Sequence, residues 1–251
     1  MSCPLPQEIL DLIVDHLHDD PTSLGSCCLV SKSWIHRTRK HLFTNVDLRA
    51  HDRFERWKET FPDPANSPAH HARTLELTID DLNSTTAADG CFISTFCGVV
   101  YLHVGARGPY RHEIPLVPSY GISPVIRSLC VNSTSFKLSE IFDLICSLPL
   151  LEDLSLISFI HDHGDEGWNA PSTSPKLTGS LKLIMLGGIH SVASLLLGLP
   201  SGIHFTKIAV SWNNEEDAKW TMCLVSRCSS TLESLYITNG ICVFPLVSVP
   251  S

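Results

Sequence analysis

One short pattern recurs along most of this chain: an apolar residue, two variable ones, an apolar one, one variable, and a third apolar one. It occurs as Ala72/Leu75/Leu77, Val99/Leu102/Val104, Ile126/Leu129/Val131 and Leu151/Leu154/Leu156. It continues as Leu181/Ile184/Leu186, Phe205/Ile208/Val210 and Leu232/Leu235/Ile237. The central residues advance by 27, 27, 25, 30, 24 and 27 positions. Each copy reads as a strand with alternate apolar side chains, and a unit of this size has an apolar face that only its neighbours can cover. Helical patterns fill several of the intervals. Ser139 to Leu148 carries Ile141, Phe142, Leu144, Ile145 and Leu148 ahead of Pro149, and Ser191 to Leu199 is apolar up to Pro200. Asn214 to Cys228 opens with a capping asparagine, and Glu215, Glu216 and Asp217 stand in the first turn, where acids suit the helix dipole. The expected fold class is therefore α/β, built of strand-loop-helix units.

A period in the twenties on an L-x-x-L-x-L core resembles the leucine-rich repeats. The resemblance implies an irregular solenoid over residues 72–251, with about seven degenerate repeats. Regular horseshoe geometry is not expected, because the family's later asparagine has an equivalent only at Asn213. Asp80, Arg107, Thr134, Phe159, Ile189 and Gly240 stand at the other corresponding places. In a solenoid the variable strand positions face the concave side, which such proteins use to hold partners. The candidate target-binding residues on that side are Glu76, His103, Asn132, Asp153, Lys207 and Tyr236, set among mostly small neighbours and Met185.

Residues 1–45 follow a different rule. Glu8 to Leu17 reads as a helix with Ile9, Leu10, Ile13, Val14 and Leu17 at helical spacing, stopped at Asp20-Pro21. Thr22 or Ser23 can cap a second helix carrying Leu24, Cys27 and Cys28. Ser31 can cap a third that holds Trp34, with Leu42-Phe43 closing the packing. Helices this short leave Leu5, Ile13, Leu17, Leu24, Val30 and Trp34 partly exposed, and such a patch marks a protein interface. The run Leu5-Pro6-x-Glu8-Ile9-Leu10-x-x-Ile13-x-x-x-Leu17, then Leu24, then Leu29-Val30-Ser31-Lys32-x-Trp34 resembles the F-box. That resemblance implies docking on a Skp-type adaptor and, through it, on a cullin. Carried over by position, Leu5, Pro6, Ile13, Leu17, Leu24, Val30 and Trp34 form or support the adaptor surface. Gly25-Ser26 departs from the family's larger residues, and a glycine inside a helix costs about 1 kcal/mol against alanine. Residues 46–71 read as a connector with a helix from Asp52 to Phe61, ended by Pro62, Pro64 and Pro68.

The implied function is that of a non-catalytic substrate-recognition subunit of a ubiquitin ligase, with an unknown target protein as second partner. The other reading is a repeat scaffold whose helical start is only a cap. A formal net charge of −8 argues against a nucleic-acid partner. The basic run His36 to His41 is expected to be the solvated face of a helix. No apolar stretch reaches the roughly eighteen residues needed to span a membrane, and no secretory signal is visible, so a cytoplasmic or nuclear location is expected. In such a compartment the 10 cysteines are small buried hydrophobes first. His161-Asp162-His163-Gly164-Asp165-Glu166 resembles the H-x-H-x-D-H of metallo-β-lactamase-type hydrolases, but Glu166 replaces the final histidine and a polar loop explains the segment. With no G-x-S-x-G elbow and no phosphate-binding glycine loop, no catalytic residue, metal or cofactor is expected.

Overall fold

A computed structural model of the chain describes residues 6–78, 92–105, 123–132, 136–157, 171–184, 189–212 and 214–239. It opens with three helices, α1 (Gln7–His16), α2 (Pro21–Val30) and α3 (Lys32–Leu42). The cap of α2 is Asp20 rather than Thr22 or Ser23. Its carboxylate accepts the N–H groups of both those residues at 3.1 Å. Pro21 then takes the first helical position, where a missing N–H is harmless, so this proline starts one helix as well as ending another. Gly25 does not break α2, which runs unbroken to Val30, and a side chain at that position would meet nothing within 4 Å. Ser31 caps α3 as expected, accepting from the Ser33 N–H at 3.3 Å.

The three helices enclose a small core of Val14, Leu24 and Cys27 that is separate from the main hydrophobic cluster of the chain. Polar ties supplement it. Asp15 on α1 accepts from Arg37 Nε at 2.6 Å and pairs with His41 Nε2 at 2.7 Å, both from α3. Arg37 first, and His41 second, hold the Asp15 carboxyl well below the usual carboxylate range. The basic run is therefore more than a solvated face, because two of its members fasten α1 to α3.

Among the described residues eight parallel strands follow in one sheet, and their order in space is their order in sequence. They are β1 (Asn45–Leu48), β2 (Thr74–Thr78), β3 (Tyr101–Gly105), β4 (Ser128–Asn132), β5 (Asp153–Ile157), β6 (Ser180–Ile184), β7 (Lys207–Trp212) and β8 (Ser234–Asn239). Two apolar rows cross the sheet. One joins Val46, Leu75, Leu102, Leu129, Leu154, Leu181, Ile208 and Leu235; the other joins Leu48, Leu77, Val104, Val131, Leu156, Leu183, Val210 and Ile237. Both rows are buried from β1 through β7. Just ahead of each strand from β1 to β7 a backbone carbonyl accepts from the next unit. Thr44, Arg73, Val100, Arg127, Glu152, Gly179 and Thr206 repeat this role in turn.

Two expectations are corrected here. Residues 45–48, read mostly as connector, form an eighth strand at the edge of the sheet, with α4 (His51–Thr60) after it. The α4 side chains Phe54 and Trp57 are buried in the main core, and the Trp57 ring meets Phe43 and Phe61 at 5.8 and 4.9 Å. The fifth copy is also shifted by three residues: Leu181 and Leu183, not Ile184 and Leu186, stand beside Leu154 and Leu156. In the observed frame the central residues from β2 onward advance by 27, 27, 25, 27, 27 and 27. The ladder at Gly179 enforces this frame, since its N–H bonds the Glu152 carbonyl and its own carbonyl accepts from Thr206.

Helices α5 (Leu138–Ser147), α6 (His190–Leu197) and α7 (Glu215–Arg227) contribute to the same core as the two apolar rows. Among the described residues a full helix lies between strands after β1, β4, β6 and β7. Asn214 caps α7 as expected, accepting from the Asp217 N–H at 2.8 Å. Asp217 itself is buried and turned inward, where its carboxylate accepts from the Ile189 N–H at 2.8 Å and ties α7 to the start of α6. Gly98 ahead of β3 permits a close passage of chains, because a Cβ there would lie 2.9 Å from the His70 carbonyl oxygen.

Candidate functional site

Two surfaces carry the residues singled out in the sequence. The first is the helical start. Packing on α3 uses one side of α1 and of α2, and the opposite sides keep large apolar groups in solvent. Leu29 is 89% exposed, Val30 69% and Leu12 55%, with Ile9 and Ile13 also exposed. Of the expected adaptor-binding residues, Pro6, Ile13 and Val30 are exposed, while Leu17 and Trp34 are half-buried. Leu24 is different: it is 1% exposed and belongs to the small internal core, so it supports the surface without forming it. Leu5 lies outside the described residues. Ile9, Leu12 and Leu29 were missed as surface groups. The available signal was that α1 has apolar residues on two sides, Ile9/Leu12/Ile13 and Leu10/Val14/Leu17, and so small a unit cannot bury both.

The second surface is the side of the sheet away from the core. Its central row runs Asp47, Glu76, His103, Cys130, Ser155, Lys182, Ala209 and Tyr236. All six expected target-binding residues stand on this side, because strand alternation sends them opposite to the buried rows. They do not share one environment. Glu76 Oε2 lies 2.8 Å from Arg49 Nε and 3.7 Å from His103 Nδ1, within a half-buried charged group that also holds Asp47. Burial pushes His103 toward its neutral form, and Glu76 only partly opposes this. Burial alone would raise the pKa of Asp47, but the hydrogen bonds from Arg49 and the charges of Arg49 and Arg53 together lower it to about 2. Asp153 is engaged by the next strand, accepting from the Ser180 N–H at 2.6 Å and its hydroxyl at 2.7 Å. Asn132, Lys207 and Tyr236 are exposed, Tyr236 at 64%. Met185 lies outside the described residues. Lys182 was missed because the three-residue shift in the fifth copy placed it off the outward row.

Glu76, His103 and Cys130 stand side by side, in the order of an acid, a base and a nucleophile. The chemistry at the thiol is wrong for attack. Cys130 is buried, burial raises its pKa, and it hydrogen-bonds with Ser155 and Tyr101. A thiol held protonated is a poor nucleophile, and this group is read as packing on the sheet. Among the described residues no cluster of three His, Cys, Asp or Glu can hold a metal ion. The segment His161 to Glu166 lies outside them. The seven described cysteines are free thiols, and no described helix is long and apolar enough to cross a membrane. Comparison with models of known families, with curated proteins and with solved structures finds no match to this chain.

Proposed function

We propose that this chain is a substrate-recognition subunit of a Skp-cullin-F-box ubiquitin ligase. In this reading α1–α3 are an F-box docked on the Skp-type adaptor. The sheet with its helices is a leucine-rich-repeat-like solenoid that holds a target protein. The observation that carries the proposal is the set of large apolar side chains left in solvent on α1 and α2, on a helical unit whose core is its own. Exposed apolar surface of that kind is characteristic of a docking face. No reactive side chain is required of such a subunit. It raises the effective concentration of a target beside the ligase's transfer machinery, an effect of proximity alone.

The test is capture of purified Skp-type adaptor by the full chain, comparing wild type with Ile13→Asp and Val30→Asp. Binding by wild type, reduced about tenfold or more in each variant with an unchanged circular dichroism spectrum, supports the proposal. Undiminished binding in both variants overturns the assigned surface. A well-folded wild type that does not bind moves the reading to a repeat scaffold with a helical cap. That reading draws on the packing of α3 against residues 68–71, where the rings of His36 and His71 stand 5.5 Å apart. Under it, deleting residues 1–43 unfolds the sheet, whereas a docking module is dispensable for folding.

A further inference from the structure

The helical start meets the array through histidines. Pro68–His71 is a short helical turn, fixed in the main core by Ala69 and, just after it, Ala72, both fully buried. Helix α3, on the other side of the contact, packs around the smaller core. Where the two touch, the rings of His36 and His71 stand edge to face at 5.5 Å, and His70 lies 3.9 Å from His71. Arg39 and Lys40 follow His36 by three and four residues, which puts them on the same face of α3. His70 Nδ1 lies 3.0 Å from the Ser67 carbonyl, which can only accept, so that nitrogen carries a proton and Nε2 is the one left to take another. Arg73, two residues beyond His71, donates to the Gly98 carbonyl at 3.1 Å. The Asp15 carboxylate is engaged by Arg37 and His41 on the α1 side of α3.

We propose that this joint is a pH-sensitive contact: α3 rests on residues 68–71 while the imidazoles of His36, His70 and His71 are neutral, and lifts from them as they take up protons. Neutral rings in edge-to-face contact attract. Each protonated ring adds a positive charge beside Arg39 and Lys40, and like charges repel. Burial first, then the charges of His70, His36, Arg39 and Lys40, push the His71 imidazole toward its neutral form. Because its folded-state value is depressed, the His71 contribution is complete above the ordinary histidine value of about 6.5 and is lost as the pH falls below it. The movement has a pivot. Phe43, at the end of α3, packs on Trp57 and Phe61 at 5.8 and 5.7 Å. These contacts carry no charge, so α3 stays held there while its His36 turn comes away. The inference concerns how the two regions are joined and stands whether residues 1–43 dock an adaptor or only cap the array.

The experiment is hydrogen exchange of the full chain between about pH 7.5 and about pH 5.5, corrected for the intrinsic rate. On acidification the amides of Thr38 in α3 and of Ala72, which bonds the Ala69 carbonyl, should lose about threefold or more in protection relative to Leu129 in β4. His103, which burial also keeps toward its neutral form, acts within the array, and Leu129 reads its effect. The relative loss should be absent in His71→Gln and fall by about half or more in His36→Gln, an exposed helical position. Arg39→Glu should reverse it, because a carboxylate beside protonated imidazoles attracts them. Protection in wild type that stays flat overturns the proposal. An equal loss at Leu129 does the same, since it means unfolding of the array as a whole. A relative loss that persists in both histidine variants also overturns it. If His71→Gln does not fold, His36→Gln and Arg39→Glu decide. Adaptor capture plays no part in the readout, so failure of the ligase reading and failure of this one are told apart.

Discussion

The helical start and the strand array bury apolar surface to opposite degrees. Among the apolar residues of α1–α3 only Val14, Leu24 and Cys27 are buried, and Leu29 and Val30 stand in solvent. In the array both apolar rows are 6% exposed or less from β1 to β7. The difference is geometrical. A parallel strand continues its row directly into the next strand's, so every added unit closes the one before it. Three helices of ten or eleven residues have too little surface to enclose much of a core. The array is held by burial. The helical unit leans on polar devices, the Asp20 and Ser31 caps and the pairing of Asp15 with Arg37 and His41, and has apolar surface to spare.

The comparison breaks most visibly in the array. Phe142 in α5 is fully buried among the strands, and Phe142→Ala should cost about 3–5 kcal/mol, as large-to-small core changes do. Urea unfolding measures it, and a loss below about 1 kcal/mol would contradict the idea that burial carries the array. Hydrogen exchange in α1–α3 should change little in the same variant.

A smaller effect is expected at Asp15. Its carboxylate is about one-third exposed, so solvent screens the pair, and Asp15→Asn should cost about 1 kcal/mol or less. The pH dependence sharpens the point. Because the folded-state pKa is depressed, the contribution is complete above the unfolded value of about 4 and is lost as the pH falls below it. The stability gap between wild type and Asp15→Asn, read by hydrogen exchange in α1, should therefore shrink as the solution is acidified below about pH 4. A gap that stays constant would mean that charge at Asp15 is not what joins α1 to α3.

The smallest effect belongs to the exposed apolar groups. Leu29→Ser and Val30→Ser should alter stability by no more than about 0.5 kcal/mol, since both side chains are already in water. A larger loss in thermal or urea unfolding would show that these side chains are structural, and the contrast between the two regions would fail there.

Much of the array was legible because strand alternation and a near-constant step are written in the spacing of Leu and Val. The helices after β4, β6 and β7 were legible from Ile141/Phe142/Ile145, from the apolar run at 191–199, and from the Asn214 cap. The fifth copy was misread because Leu181/Ile184/Leu186 completes the apolar triplet whereas the observed frame opens on the polar Thr178, and only the backbone ladder at Gly179 selects Leu181 and Leu183. β1 was missed because Val46 and Leu48 give just two apolar positions in a four-residue strand. On the outward face the sequence named the side but not the neighbours. That Asp153 serves Ser180 and that Glu76 shares Arg49 with Asp47 follow from which strands lie next to each other.

By itself, then, the sequence determined the period, the apolar rows, most helices and the contrast between a short helical start and a long α/β array. These are local properties, set by alternation, capping and proline placement. The tertiary structure decided the frame of β6, the eighth strand at the edge, the inward turn of Asp217 and the use of Arg37 and His41 to hold Asp15. Each depends on a partner 22 or more residues away, and contacts of that range are chosen by packing and hydrogen-bond satisfaction, which no local pattern encodes.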